Sequence, residues 1–95
     1  MQNRISRRDV DEMACRLNEA LGLPVDYWRD GKSQVGNIHA EQVAGYLNIL
    51  QTVNTGGACK QLAGGFTRRE AHRWLMAAAD GVRLARDPLS GCPGR

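Results

Sequence analysis

Two helix-start signals frame this chain. Ser6 with Asp9, and Thr67 with Glu70, each set a hydroxyl three residues ahead of a carboxylate. At that spacing each side chain accepts a hydrogen bond from the other residue's backbone N–H, which opens a helix as a capping box. Ile5 and Val10 stand where a hydrophobic staple would clamp the first start, and Phe66 and Ala71 do the same at the second. After Ser6, Val10, Met13, Ala14, Leu17, Ala20 and Leu21 recur at three- and four-residue steps, and Gly22 and Pro24 stop the pattern. The spacing predicts a helix over about 7–21. After Thr67, the stripe Ala71, Trp74, Leu75, Ala78, Ala79, Val82 and Ala85 predicts another over about 68–85.

Between these helices the period changes. Val25 to Arg29 is β-prone, Asp30-Gly31 is a strong two-residue turn, and Lys32 to His39 can return antiparallel, so a hairpin is expected. Gly36 within the second strand marks a bulge or a close approach of another backbone. From about Glu41, the residues Val43, Tyr46, Leu47, Leu50 and Val53 follow helical steps, and Asn54-Thr55-Gly56-Gly57 ends them, which predicts a central helix. Ala58 to Leu62 could form a short extra strand. The expected fold class is therefore α+β, with three helices packed on a small antiparallel β-hairpin or sheet. Residues 1–86 form one domain and 87–95 a flexible, Pro- and Gly-rich tail. With 95 residues the core must be thin, which argues against a large internal active-site cavity.

The net charge of +3 is unevenly placed. From Arg68 onward, Arg68, Arg69, Arg73, Arg83, Arg86 and Arg95 face only Glu70, Asp80 and Asp87, so the last helix could meet nucleic acid, an anionic ligand or an acidic protein face, or be a solvated surface. No long apolar run and no signal-peptide pattern occur, so a cytoplasmic protein without a membrane span is expected. Cys15, Cys59 and Cys92 are odd in number and widely spaced, and they read as reduced thiols of structural or incidental role.

No phosphate loop, dinucleotide fingerprint, zinc-protease, deaminase or serine-hydrolase motif is present, and no cofactor is indicated. The expectation is binding without catalysis. Alternation along a strand sends Asn37 and His39 to one side, where they either cap and face solvent or form a polar patch for a ligand. Trp28 or Tyr27 would stack beside that patch. Asn54 before Gly56-Gly57 is either an ordinary helix stop or a place where backbone approaches a ligand. Tyr46 from the start of the expected central helix, and Arg68 or Arg69 from the N-terminus of the last, complete a candidate anion site comprising Trp28, Asn37, His39, Tyr46, Asn54, Arg68 and Arg69.

Four segments carry a resemblance: Asn3-Arg4-Ile5 with Arg16-Leu17-Asn18, Val35-Gly36-Asn37-Ile38-His39, Val53-Asn54-Thr55-Gly56-Gly57, and Thr67-Arg68-Arg69-Glu70. In their order and spacing the chain resembles a family of small proteins encoded by tailed bacteriophages. More loosely it is similar to phage Thoeris anti-defence sponges, which sequester a cyclic ADP-ribose signal. The resemblance implies a phage protein made in the cytoplasm of an infected bacterium and aimed at host defence. Its expected partner is an anionic cyclic nucleotide or a host protein; the alternative is a nucleic-acid-binding regulator. A thin core and a free hairpin edge also point to a homo-oligomer.

Overall fold

The computed structural model describes residues 4–87. Helix α1 (Arg7–Leu21) leads through a short loop to the two-residue strands β1 (Trp28–Arg29) and β2 (Lys32–Ser33). Three longer strands follow, β3 (Ile38–Val43), β4 (Tyr46–Thr52) and β5 (Cys59–Phe66), and helix α2 (Arg68–Arg86) closes the described chain. Both capping boxes form: the Ser6 hydroxyl accepts from Asp9 N and the Thr67 hydroxyl from Glu70 N, while both acids accept from the cap backbone. Gly22 ends α1 in the left-handed conformation, with φ of 73°, as a helix-stopping glycine does. No described helix is long and apolar enough to cross a membrane.

The class is α+β, but there are two helices and two antiparallel sheets, not three helices on one hairpin. The expected central helix over 41–53 is a β-hairpin made of β3 and β4. Of its supposed stripe only Leu47 is buried, whereas Val43, Tyr46 and Val53 are 48%, 55% and 46% exposed. The operative period is two: Leu47 and Ile49 enter the core, and Asn48 and Leu50 turn to the opposite face. Ala44 and Gly45 make the reversal, both at positive φ (53° and 87°), the signature of a type I′ turn whose twist matches the strands it joins.

Two smaller differences follow from that hairpin. The strand expected over 32–39 is split: β2 ends at Ser33, and the chain turns through 34–37 so that β3 can pair with β4. Gly36 is needed at that turn. It has φ of 96°, its N–H donates to Thr52 O (2.8 Å), and an added Cβ would lie 3.1 Å from the Leu23 side chain. The extra strand anticipated near Ala58 is real and longer, reaching Phe66 with register shifts that interrupt its pairing to β4. Apart from Asp87, which caps α2, the expected tail over 87–95 lies outside the described residues.

The larger sheet has the order β3-β4-β5. One face packs on both helices: Ile38, Ala40, Leu47 and Ile49 meet Val10, Met13, Ala14 and Leu17 of α1 and Ala71 and Leu75 of α2. Ile49, Val10 and Leu75 are fully enclosed, so the core is centred where the middle strand meets both helices. The small hairpin hangs on the far end of the sheet, with Ser33 N donating to Thr55 O (3.2 Å).

Ala44 gives a direct check on this hairpin. Left-handed backbone costs a Cβ-bearing residue roughly 1 kcal/mol, and Asn or Gly relieves it. Ala44→Asn and Ala44→Gly should therefore each raise stability by about 0.5–1 kcal/mol in thermal unfolding. A helix at this position would give the reverse, with Gly costing about 1 kcal/mol relative to Ala.

Candidate functional site

Asn37 immediately precedes β3 and extends its ladder, since its carbonyl accepts from Thr52 N (3.0 Å). Strand alternation then places its side chain on the same side as that of His39, opposite the core residues Ile38 and Ala40. The Asn37 carboxamide is buried, and its Nδ2 donates to Pro24 O (2.9 Å), which fixes the amide orientation. Asn37 Oδ1 is consequently an acceptor, and His39 Nδ1–H donates to it at 3.1 Å. That bond selects the tautomer and leaves Nε2 as a bare acceptor.

Two other elements bring groups to the same imidazole. Tyr27, just before β1, meets the His39 ring edge to face, with centroids 4.5 Å apart and planes at 61°. Cys59 opens β5 opposite Thr52, and its Sγ lies 3.9 Å from His39 Nε2. The single thiol proton has three acceptors within reach, His39 Nε2, Gly57 O (3.4 Å) and Thr52 Oγ1 (4.0 Å). Asn37, His39 and Cys59 thus form a continuous carboxamide–imidazole–thiol chain.

Burial pushes the His39 pKa below its ordinary value of 6.5. Hydrogen bonding to Asn37 and the nearby Glu41 carboxylate act the other way without offsetting it. The imidazole is therefore neutral near neutral pH, a base and not a cation. A cleft of about 430 Å³ opens beside it along the outer edge of β3, lined in part by Arg7, Asp11, Tyr27 and Glu41. Arg7 is already engaged by Asp11 (3.0 Å) and by the carbonyl of Ala40 (2.6 Å). The carboxylates of Asp11 and Glu41 leave this cleft without a positive excess.

The remaining residues of the expected anion site lie apart. Trp28 projects from β1 with 57% of its surface exposed, and its neighbour Tyr27 makes the aromatic contact instead. Tyr46 starts β4, not a helix, and pairs with Val43 four rungs along the ladder from His39, a separation of roughly 13 Å. Asn54 stands in the β4–β5 turn, where its Oδ1 accepts from Gly56 N (3.0 Å) and Ala58 N (3.1 Å), the ordinary work of a turn asparagine. Arg68 and Arg69 open α2, next to the end of β5 that pairs with Leu47, near Tyr46 and away from His39. Cys59 and Arg7 join the His39 cluster without any signal in the sequence, because only the strand register and the docking of α1 bring them there.

A second recess, of about 480 Å³, runs between α1 and α2. Its floor is apolar, from Met13, Ala20, Met76, Ala79 and Val82, and its rim carries Arg16, Arg83 and Arg86 with Asp80 and Asp87. Arg83 is paired with Asp80, and no ion pair of Arg16 or Arg86 occurs among the described residues. No group of three His, Cys, Asp or Glu side chains able to hold a metal occurs among the described residues either.

The lowered His39 pKa sets a pH dependence. Above about pH 6.5 both folded and unfolded chains carry a neutral imidazole; below it the unfolded chain takes up the proton first. This contribution to stability is therefore complete above that pH and declines as pH falls towards the folded-state value. Denaturant titrations from about pH 7.5 to pH 5 should show a decline that His39→Gln removes, and equal slopes in the two proteins would contradict the assignment.

No family model, curated protein or solved structure matches this chain.

Proposed function

We propose that the protein is a non-enzymatic binding protein, made by a phage in the bacterial cytoplasm, that inhibits a host protein by capturing an acidic amphipathic segment of it. The observation that carries this reading is the recess between α1 and α2. Methionine and alanine floor a trough between two helices, and the guanidinium groups of Arg16 and Arg86 on its rim make no ion pair among the described residues. Such a trough suits a helix that lays one apolar stripe on the floor and turns carboxylates to the rim.

A cyclic nucleotide is favoured less by the geometry. The recess floor offers a base or ribose no hydrogen-bonding partner, and the His39 cleft combines a neutral imidazole with the carboxylates of Asp11 and Glu41. Nucleic-acid binding would use the arginines of α2, yet Asp80 neutralises Arg83 and Glu70 sits in the same first turn as Arg68 and Arg69.

The test compares the parent with the double variant Arg16→Glu, Arg86→Glu as immobilised bait in bacterial lysate. Reversing two rim charges, at about 0.5–1 kcal/mol each, should weaken capture of the target roughly tenfold. A photo-crosslinking residue replacing Met76 should join the same target. Equal capture by both baits, recovery of a nucleotide alone, or a mobility shift of DNA that falls steeply with salt would each overturn this reading. Light scattering on the purified chain distinguishes a second copy as the occupant of the trough.

A further inference from the structure

We infer that Cys59 is a nucleophilic thiol, with His39 as its base and Asn37 as the residue that positions the base, and that it accepts low-molecular-weight disulfides by thiol–disulfide exchange. The inference is separate from the helix trough and stands on geometry that joins three elements. Pro24 O fixes the Asn37 amide (2.9 Å), the amide fixes the His39 tautomer (3.1 Å), and the free Nε2 lies 3.9 Å from Cys59 Sγ. Thiol, imidazole and a third group that orients the imidazole are the parts an activated cysteine requires. The same corner holds Ser33 Oγ, buried and without a hydrogen-bond partner among the described residues, against Gly57, whose carbonyl is another acceptor for the thiol. Cys15, the other described cysteine, lines the same cleft from α1, but among the described residues no hydrogen bond joins it to the imidazole.

The step balances without any further reagent. The Cys59 S–H proton passes to His39 Nε2, and the sulfur lone pair forms a bond to one sulfur of the disulfide. The old S–S bond breaks, and the departing thiolate takes the proton back from His39. One mixed disulfide and one free thiol result. The charged and titratable groups around His39 are Glu41 on its own strand, Arg7, Asp11 and Cys15 from α1, and Tyr27 and Cys59 from the segments on either side. Its depressed pKa keeps the base unprotonated at neutral pH.

The probe is dithiodipyridine, an uncharged aromatic disulfide whose released thione is coloured, with peptide mapping to assign each modified cysteine. At about pH 7 Cys59 should react at least tenfold faster than Cys15; the phase should vanish in Cys59→Ser and slow about tenfold in His39→Gln. If His39→Gln does not fold by circular dichroism, the pH–rate profile of the unaltered protein decides. The account expects the Cys59 rate to persist below about pH 7, whereas an unassisted thiol loses about tenfold per pH unit there. A Cys59 rate no greater than that of Cys15, no change in a folded His39→Gln variant, or the profile of an unassisted thiol would overturn the inference.

Discussion

The rest of the structure depends on one buried carboxamide. Asn18, with 1% of its surface exposed, donates from Nδ2 to Ile38 O (2.9 Å) and accepts at Oδ1 from Ile38 N (2.8 Å). It pairs with the outer edge of β3 as a neighbouring strand would. Edge strands leave such groups unsatisfied or open to other chains. Here a helix side chain closes the gap, and the Arg7 guanidinium, one end of α1 away, takes the carbonyl of Ala40 (2.6 Å). Helix α1 is thereby held both by its apolar stripe and by a directional bond to the sheet. Leaving the two Ile38 groups buried without partners would cost about 1–3 kcal/mol each.

That docking decides which face of the sheet does what. With α1 fixed along β3 and α2 packed against α1, the Ile38, Ala40, Leu47 and Ile49 side is consumed by the core. His39, between Ile38 and Ala40, is turned the other way, and there Asn37 from before β3 and Cys59 from β5 meet it. The same helix pairing creates the α1–α2 trough. Both candidate sites are therefore by-products of one arrangement: two helices laid on one side of a three-stranded sheet.

Much of this was legible in the sequence, and the failures have physical causes. The capping boxes located both helix starts because cap chemistry is local, and Gly22 marked a stop for the same reason. The shared side of Asn37 and His39 followed from strand alternation alone. The segment 41–53 misled because Val43, Leu47 and Leu50 fall at helical steps while Leu47 and Ile49 fit an alternating period, and so short a run satisfies both. Tertiary demand settled the matter: the stripes of α1 and α2 require a flat apolar face that a two-residue hairpin cannot supply. Gly45 after Ala44 was the local clue. The Cys59–His39 contact depends on the register Thr52↔Cys59 and His39↔Leu50, which no spacing along the chain encodes. The structural role of Asn18 was not legible because a polar residue beside an apolar stripe reads as surface until its partner strand is known.

Native-state hydrogen exchange at the Ile38 amide tests the central claim most directly. If the Asn18 carboxamide seals the edge of β3, this N–H exchanges only through large-scale opening in the parent protein, although it lies on an edge strand. In Asn18→Ala it should exchange faster than the global stability of that variant allows. Rapid exchange of Ile38 in the parent, or protection that survives Asn18→Ala, would show that the edge is held by something else.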